Sequence, residues 1–170
     1  MATVIDGDLT VRGSLVPTRV ALPSGSVTDA TVTAGAKIGA AKVVHRFAIS
    51  ATQVPGTAVV AETRDLFIAR AAGTVVAVEA AITGAIATGT DRHVFVDLHK
   101  STGAGAFASV LSADIDLDHG STLRTAVAGT ITSASYVAGD IFRLVVAVSG
   151  SDAAQAEGLI VTVHFDEEPN

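Results

Sequence analysis

After His45 the strand-like runs have a period of 2, several of them alternating cleanly, and no run between them has the length and 3.6-residue period of an amphipathic helix. This pattern constrains the fold more than any other feature, because alternation places one set of side chains on a core face and leaves the other on an outer face. Eight runs have the β-branched and aromatic content of strands: Arg46 to Ser50, Asp65 to Arg70, Thr74 to Ile82, His93 to Lys100, Ala106 to Leu117, Thr122 to Thr132, Asp140 to Ser149 and Gly158 to Phe165. Clusters of Gly, Pro, Ser or Asp divide them. In the fourth run Val94, Val96 and Leu98 share one face, while His93, Phe95, Asp97 and His99 share the other. Eight strands at this spacing predict an all-β fold, an antiparallel β-sandwich of jelly-roll type. No repeat of 20 to 50 residues recurs in this region, so solenoids and propellers are excluded.

The first 44 residues read differently. Ile5, Leu9, Val11 and Leu15 are separated by Asp6-Gly7-Asp8 and Arg12-Gly13, a spacing that suits two short strands with glycine turns. Pro17 and Pro23, with Ser24-Gly25-Ser26, then interrupt any regular element. Val27 to Val44, VTDATVTAGAKIGAAKVV, is apolar and repetitive but holds almost no side chain large enough to build a core. Ser26, Thr28 or Asp29 could cap a short helical turn, and Gly35, Gly39 and the β-branched residues weaken a longer one, so a short helix and an irregular segment both remain open. The expected organisation is an extended N-terminal arm over residues 1–44 and a sandwich head over residues 45–170. A head of that size buries roughly two thirds of its unfolded surface, enough for one independent core. Fully extended, the arm reaches on the order of 150 Å. Its side chains large enough to bury against a partner are Ile5, Leu9, Val11, Leu15, Val16, Ile38, Val43 and Val44.

Charge and composition exclude several functions. The formal net charge is -6 and the eight arginines and three lysines are scattered, which disfavours a nucleic-acid partner. There is no cysteine, hence no disulfide and no thiolate metal site. The N-terminus carries neither a basic leader nor a continuous apolar stretch, and no segment offers 18 uninterrupted apolar residues, so no membrane span is expected. A mean hydropathy of +0.52 in such a chain points to apolar surface buried between subunits.

Three motifs bear on chemistry. Asp114, Asp116 and Asp118 are spaced two apart, as oxygen ligands for Ca²⁺ can be, but the following Gly120 is one position late for an EF-hand loop and the twelfth position is Thr125. A half-buried strand running into a turn gives the same pattern and is the expected reading. Asp97 and His99, with His93 further along, lie on one strand face, and a second strand would have to complete any metal site; a polar outer or subunit-facing surface is expected. Gly103-Ala-Gly-Ala-Phe-Ala108 has the G-x-G-x-x-A form, but strand-like residues follow it where a dinucleotide loop requires a helix, so it reads as a hairpin connection. Neither a G-x-S-x-G nor an H-E-x-x-H motif is present, and the single Tyr and absent Trp leave no aromatic platform for a sugar cleft. No catalytic residue, cofactor or metal is expected, and the chain is not expected to be an enzyme.

The arm resembles a recurrent element of tailed-phage structural proteins. Tail-fibre, head-fibre and capsid-decoration proteins carry segments of the form (I/V)T(D/N)A, two or three residues, A-(G/S)-A, one residue, Ile, and a small stretch ending in K(L/V). Here these are Val27-Thr28-Asp29-Ala30, Ala34-Gly35-Ala36, Ile38 and Lys42-Val43. Asp6-Gly7-Asp8-Leu9-Thr10-Val11 with Gly13 is similar to the GDLTV strands of such fibres. The likeness covers about the first 45 residues and departs from the pattern at Gly39-Ala40-Ala41, where a Ser often precedes the Lys. It implies a virion structural protein, usually trimeric, made in the bacterial cytoplasm and placed on the capsid surface, with the major capsid protein of the shell as partner. The expected function is decoration or cementing of a phage capsid through the arm. The alternative is a host-surface or carbohydrate-binding fibre module that uses the loops of the head.

Overall fold

A computed structural model of the chain describes residues 44–84, 93–102, 105–118, 120–150 and 156–168. The arm residues 1–43, with their possible short helix, lie outside the described residues. Those described form ten strands and no helix: β1 (His45–Thr52), β2 (Glu62–Ile68), β3 (Gly73–Gly84), β4 (His93–Ser101), β5 (Ala108–Ser109), β6 (Ile115–Leu117), β7 (Val127–Ala128), β8 (Ser135–Tyr136), β9 (Ile141–Ser149) and β10 (Glu157–Glu167).

Two antiparallel sheets share these strands. One has the order β1-β10-β3-β7, with β8 also on β3; the other has the order β2-β9-β4-β5, with β6 also on β4. β5 and β6 occupy successive stretches of β4, pairing with His99 and Lys100 and then with Val96 to Val94. Likewise β7 and β8 occupy successive stretches of β3. Taking each couple as one interrupted strand, the chain has eight strand positions, nested so that the first pairs with the last, the second with the seventh, and so inward. That is one long hairpin wrapped into two sheets, the jelly-roll β-sandwich expected from the alternation.

The alternation accounts for the burial. In β4 Val94, Val96 and Leu98 are fully buried while His93, Phe95 and His99 are partly exposed. In β10 Leu159, Val161, Val163 and Phe165 point inward and Ile160, Thr162, His164 and Asp166 outward. β3 slips phase once: Val75 and Val78 are both buried although three apart, because the register against β10 shifts between His164 and Phe165. The centre of the core is aromatic. Phe165, fully buried, stacks on Phe47 at 5.1 Å between centroids and meets Phe67, Phe142 and Tyr136 edge-on at 4.8, 5.1 and 5.9 Å. Two glycines are required by this packing. A Cβ on Gly73 would collide with the carbonyl oxygen of Asp166 and the ring of Tyr136, and at Gly158, whose φ is +60°, a Cβ would collide with Thr83 and Pro55.

The pairings also define the two ends of the sandwich. β1 begins, β10 ends and β3 begins at one end, where the short 69–72 connection joins β2 to β3 and the 102–107 connection joins β4 to β5. The 53–61 loop and the 118–126 loop lie at the opposite end.

Two of the expected strands are corrected. Ala106 to Leu117 is not one strand: between β5 and β6 the chain leaves β4, Val110 and Leu111 turn inward, and Ser112 N–H donates to Thr130 O at 2.8 Å. Of Thr122 to Thr132 only Val127–Ala128 is strand, with an isolated bridge from Leu111 to Ile131.

Candidate functional site

The polar face expected on β4 is built from three neighbouring strands. Asp97, only slightly exposed, has its Oδ2 2.8 Å from His99 Nε2, and its Oδ1 accepts the Ser109 hydroxyl at 2.7 Å. Ser, Asp and His are thus in one hydrogen-bonded line, but the carboxylate stands in the middle. No imidazole touches the Ser109 hydroxyl, and that hydroxyl also accepts from Leu111 N–H at 3.0 Å, so the trio cannot generate a nucleophile in the manner of a serine triad. Nearby His93 Nδ1 is 2.7 Å from Asp116 Oδ1, and its ring stacks on Phe95 at 5.4 Å. On β9 Arg143 Nε donates to Asp65 at 2.6 Å while its guanidinium covers Phe107 at 3.7 Å. The hydrogen bond from Arg143 holds the Asp65 carboxyl below the ordinary carboxylate range. Apart from Asp97–His99, which runs along β4, these are cross-strand pairs that fix register and solvate a sheet face.

The three acids of the 114–118 stretch do not converge. Ile115 and Leu117 are buried between them; Asp116 is held by His93; Asp118 Oδ1 accepts the Gly120 N–H at 2.9 Å and the Ser121 hydroxyl at 3.2 Å. Ser121 Oγ in turn accepts the Asp118 N–H at 3.0 Å. Asp118 therefore closes its own turn after β6, the local competition that Asp side chains offer the backbone. Among the described residues no group of three or more His, Asp or Glu is placed to hold a metal ion. The G-x-G-x-x-A stretch connects β4 to β5, with Gly105 N–H donating to Thr102 O at 3.0 Å; strand follows it, and no helix N-terminus is there to hold a pyrophosphate.

One buried carboxylate escaped the sequence reading. Asp140 is 1% exposed at the turn into β9; its Oδ2 accepts the Val137 N–H at 3.0 Å and lies 4.0 Å from Lys100 Nζ, while its Oδ1 has no protein partner. Lys100 Nζ also donates to the Ser135 carbonyl in the opposite sheet. The lysine thus ties β4 to β8 across the end of the sandwich. Alternation places Lys100 on the inward face after Leu98, but its approach to Asp140 follows only from the register of β4 on β9.

The least finished part of the described surface is the side where β1 and β2, the outer strands of the two sheets, leave the core half-covered. Phe47, Ile49, Leu66 and Phe67 are partly exposed there. A cleft of about 680 Å³ opens at one end, lined by Phe47, Phe67, Ile68, Ala69, Arg70 and Glu167, and a second of about 280 Å³ lies at the other, walled by Val54 and Val60. Of the eight arm residues expected to bind a partner, Ile5, Leu9, Val11, Leu15, Val16, Ile38 and Val43 lie outside the described residues. Val44 is described; it is 56% exposed immediately before β1, at the end where the larger cleft opens. Ser101, Thr102 and Gly105 stand at this same end; among the described residues, loop residues at the opposite end include those of 53–61 and 120–126. No family model matches the chain, and no curated protein or solved structure matches it.

Proposed function

We propose that the chain is a virion structural protein of a tailed phage, a homotrimer that decorates the capsid and binds the major capsid protein through its N-terminal arm. The observation that carries this reading is the junction of two things in one chain: an arm sequence of the VTDA…AGA-x-I…KV form and a compact jelly-roll sandwich beginning at His45. The mechanism is physical rather than chemical. Ile5, Leu9, Val11, Leu15 and Val16, with Ile38, Val43 and Val44, bury apolar area against the shell at roughly 25 cal/mol per Å², and main-chain pairing adds to it. Both raise the barrier to rupture of a shell under DNA pressure. The sandwich supplies bulk and oligomeric valency, so that several weak arms act together. Paired charges on the outer face of β4 and β9, and acids at 114–118 that serve a strand and a turn, support a structural over a catalytic role. Electron microscopy of virions labelled against this chain tests the reading: label distributed over the capsid is expected, and label confined to fibre tips would instead support a host-binding module.

A further inference from the structure

One buried pair is chemically incomplete. Lys100, at the end of β4, and Asp140, at the turn into β9, meet because the β4–β9 ladder runs in register as far as Ser101 opposite Ile141. Asp140 is 1% exposed and the Lys100 side chain 17%. Fully buried Phe142 stands opposite Lys100 in the ladder, and Tyr136 meets Phe142 edge-on at 5.3 Å, so the surroundings are apolar. Nζ donates to the Ser135 carbonyl and lies 4.0 Å from Oδ2, and Oδ2 accepts the Val137 N–H at 3.0 Å; Oδ1 has no partner. A buried ion pair with one bare carboxylate oxygen recovers only part of what desolvation costs it.

We propose that this pair is a site of self-modification, at which Lys100 Nζ and the Asp140 carboxyl condense into an amide cross-link. An ammonium and a carboxylate give an amide and one water. A proton passes from Nζ to the carboxylate, turning two ions into an amine and an acid, the couple that an apolar site disfavours less. The amine nitrogen then attacks the carboxyl carbon. As the N–C bond forms, the bond from that carbon to Oδ1 breaks, a second Nζ proton goes to Oδ1, and Oδ1 leaves as water. The step needs no oxidant and no co-reactant.

Each neighbour suits its part. The Val137 N–H faces Oδ2, the oxygen that gains charge as the carbon becomes tetrahedral. The Ser135 carbonyl holds Nζ in place, and Oδ1, bound to nothing, is free to take the protons and depart. From 4.0 Å, small torsional adjustments of the lysine stem bring Nζ to the ~3–3.5 Å of a near-attack geometry, and groups held in this way react as if at very high concentration. The product leaves no polar atom of the pair bare: Oδ2 keeps the Val137 N–H, the amide N–H keeps the Ser135 carbonyl, and the unpaired oxygen is gone. The bond ties the end of β4 to the turn between β8 and β9 and closes the chain from Lys100 to Asp140 into a ring, which restricts the unfolded chain as a disulfide does.

Mass spectrometry of the full-length chain tests it, with far-UV circular dichroism to verify folding beforehand. The parent is expected to be lighter than the mass of its sequence, counted from the N-terminus it carries, by one water, about 18 Da. Lys100→Arg keeps the positive charge but has no amine to condense, and is expected at its full sequence mass. Trypsin locates the bond: the parent is expected to yield a branched peptide, uncut after Lys100, with two N-termini at His93 and Thr125. That peptide decides the matter even if the variant does not fold. A folded parent that keeps its full sequence mass on prolonged incubation would overturn the inference. So would a loss of water that persists in folded Lys100→Arg, or one that the peptides place elsewhere, as at Asp6-Gly7, where ring closure of an aspartate also sheds water.

Discussion

Phe165→Ala tests the packing on which the head depends. The ring is fully buried and touches four other aromatic rings, with centroid distances of 4.8 to 5.9 Å. Removing it forfeits a transfer free energy of about 2–3 kcal/mol for a buried Phe. Phe47, Phe67, Tyr136 and Phe142 cannot all collapse inward, so a void of roughly 80 Å³ is expected to remain, and at ~24 cal/mol per Å³ it adds about 2 kcal/mol. The expected loss is therefore about 4–5 kcal/mol. Phe95→Ala is the comparison: its ring lies on the outer face of β4, half-exposed against His93, and its loss is expected to cost about 1 kcal/mol or less. With no Trp, urea unfolding is followed by circular dichroism, at one fixed protein concentration because the proposed association would shift the midpoint. A loss below about 2 kcal/mol for Phe165→Ala, or equal losses for the two variants, would refute the aromatic core as described.

Two further substitutions read the same region. Gly73→Ala is expected to destabilise by about 2–3 kcal/mol, since one of the atoms its Cβ meets is the backbone oxygen of Asp166, which cannot swing aside; a change under 0.5 kcal/mol in the urea midpoint analysis would contradict this. Burial, then the charges of Glu167 and Asp166, push the Tyr136 hydroxyl up to about 12. A folded value above the unfolded one means that the stability contributed by the neutral phenol is complete below about pH 10 and is lost as pH rises toward 12. Tyr136→Phe keeps the ring and is expected to flatten the decline in melting temperature across that window; parallel alkaline limbs in parent and variant would count against the burial of the hydroxyl.

The six long strands were legible because alternation reports directly which side chains face the core: His93 to Lys100 and Asp140 to Ser149 fall within a residue or two of β4 and β9. Alternation does not report whether a backbone has a ladder partner. Val110, Leu111 and Ile115 are buried as a strand pattern implies, yet the chain between β5 and β6 bonds to the 130–133 stretch instead of continuing along β4, and the two-residue β8 at Ser135–Tyr136 gave no signal at all. The β4 polar face was visible as a set of residues but not as pairs. Ser109 meets Asp97, and Arg143 meets Asp65, only once register is known. Asp118 was readable as either ligand or turn residue, and the choice was made by Ser121 and Gly120 donating to it. Asp140 and Lys100 were missed because their proximity depends on the pairing of two strand ends forty residues apart.

On the proposed function, the arm, and not the loops of the head, attaches the protein to a phage shell. Co-sedimentation with shells of the encoding phage that lack this chain measures it directly, comparing the parent with the full-length double substitution Leu9→Asp/Val11→Asp and with Leu123→Asp in the loop following β6, far from where β1 begins. The parent and Leu123→Asp are expected to pellet with shells, while the arm variant keeps the mass and melting temperature of the parent but stays in the supernatant. Shell binding by the arm variant together with its loss in Leu123→Asp would contradict the account and assign recognition to the head.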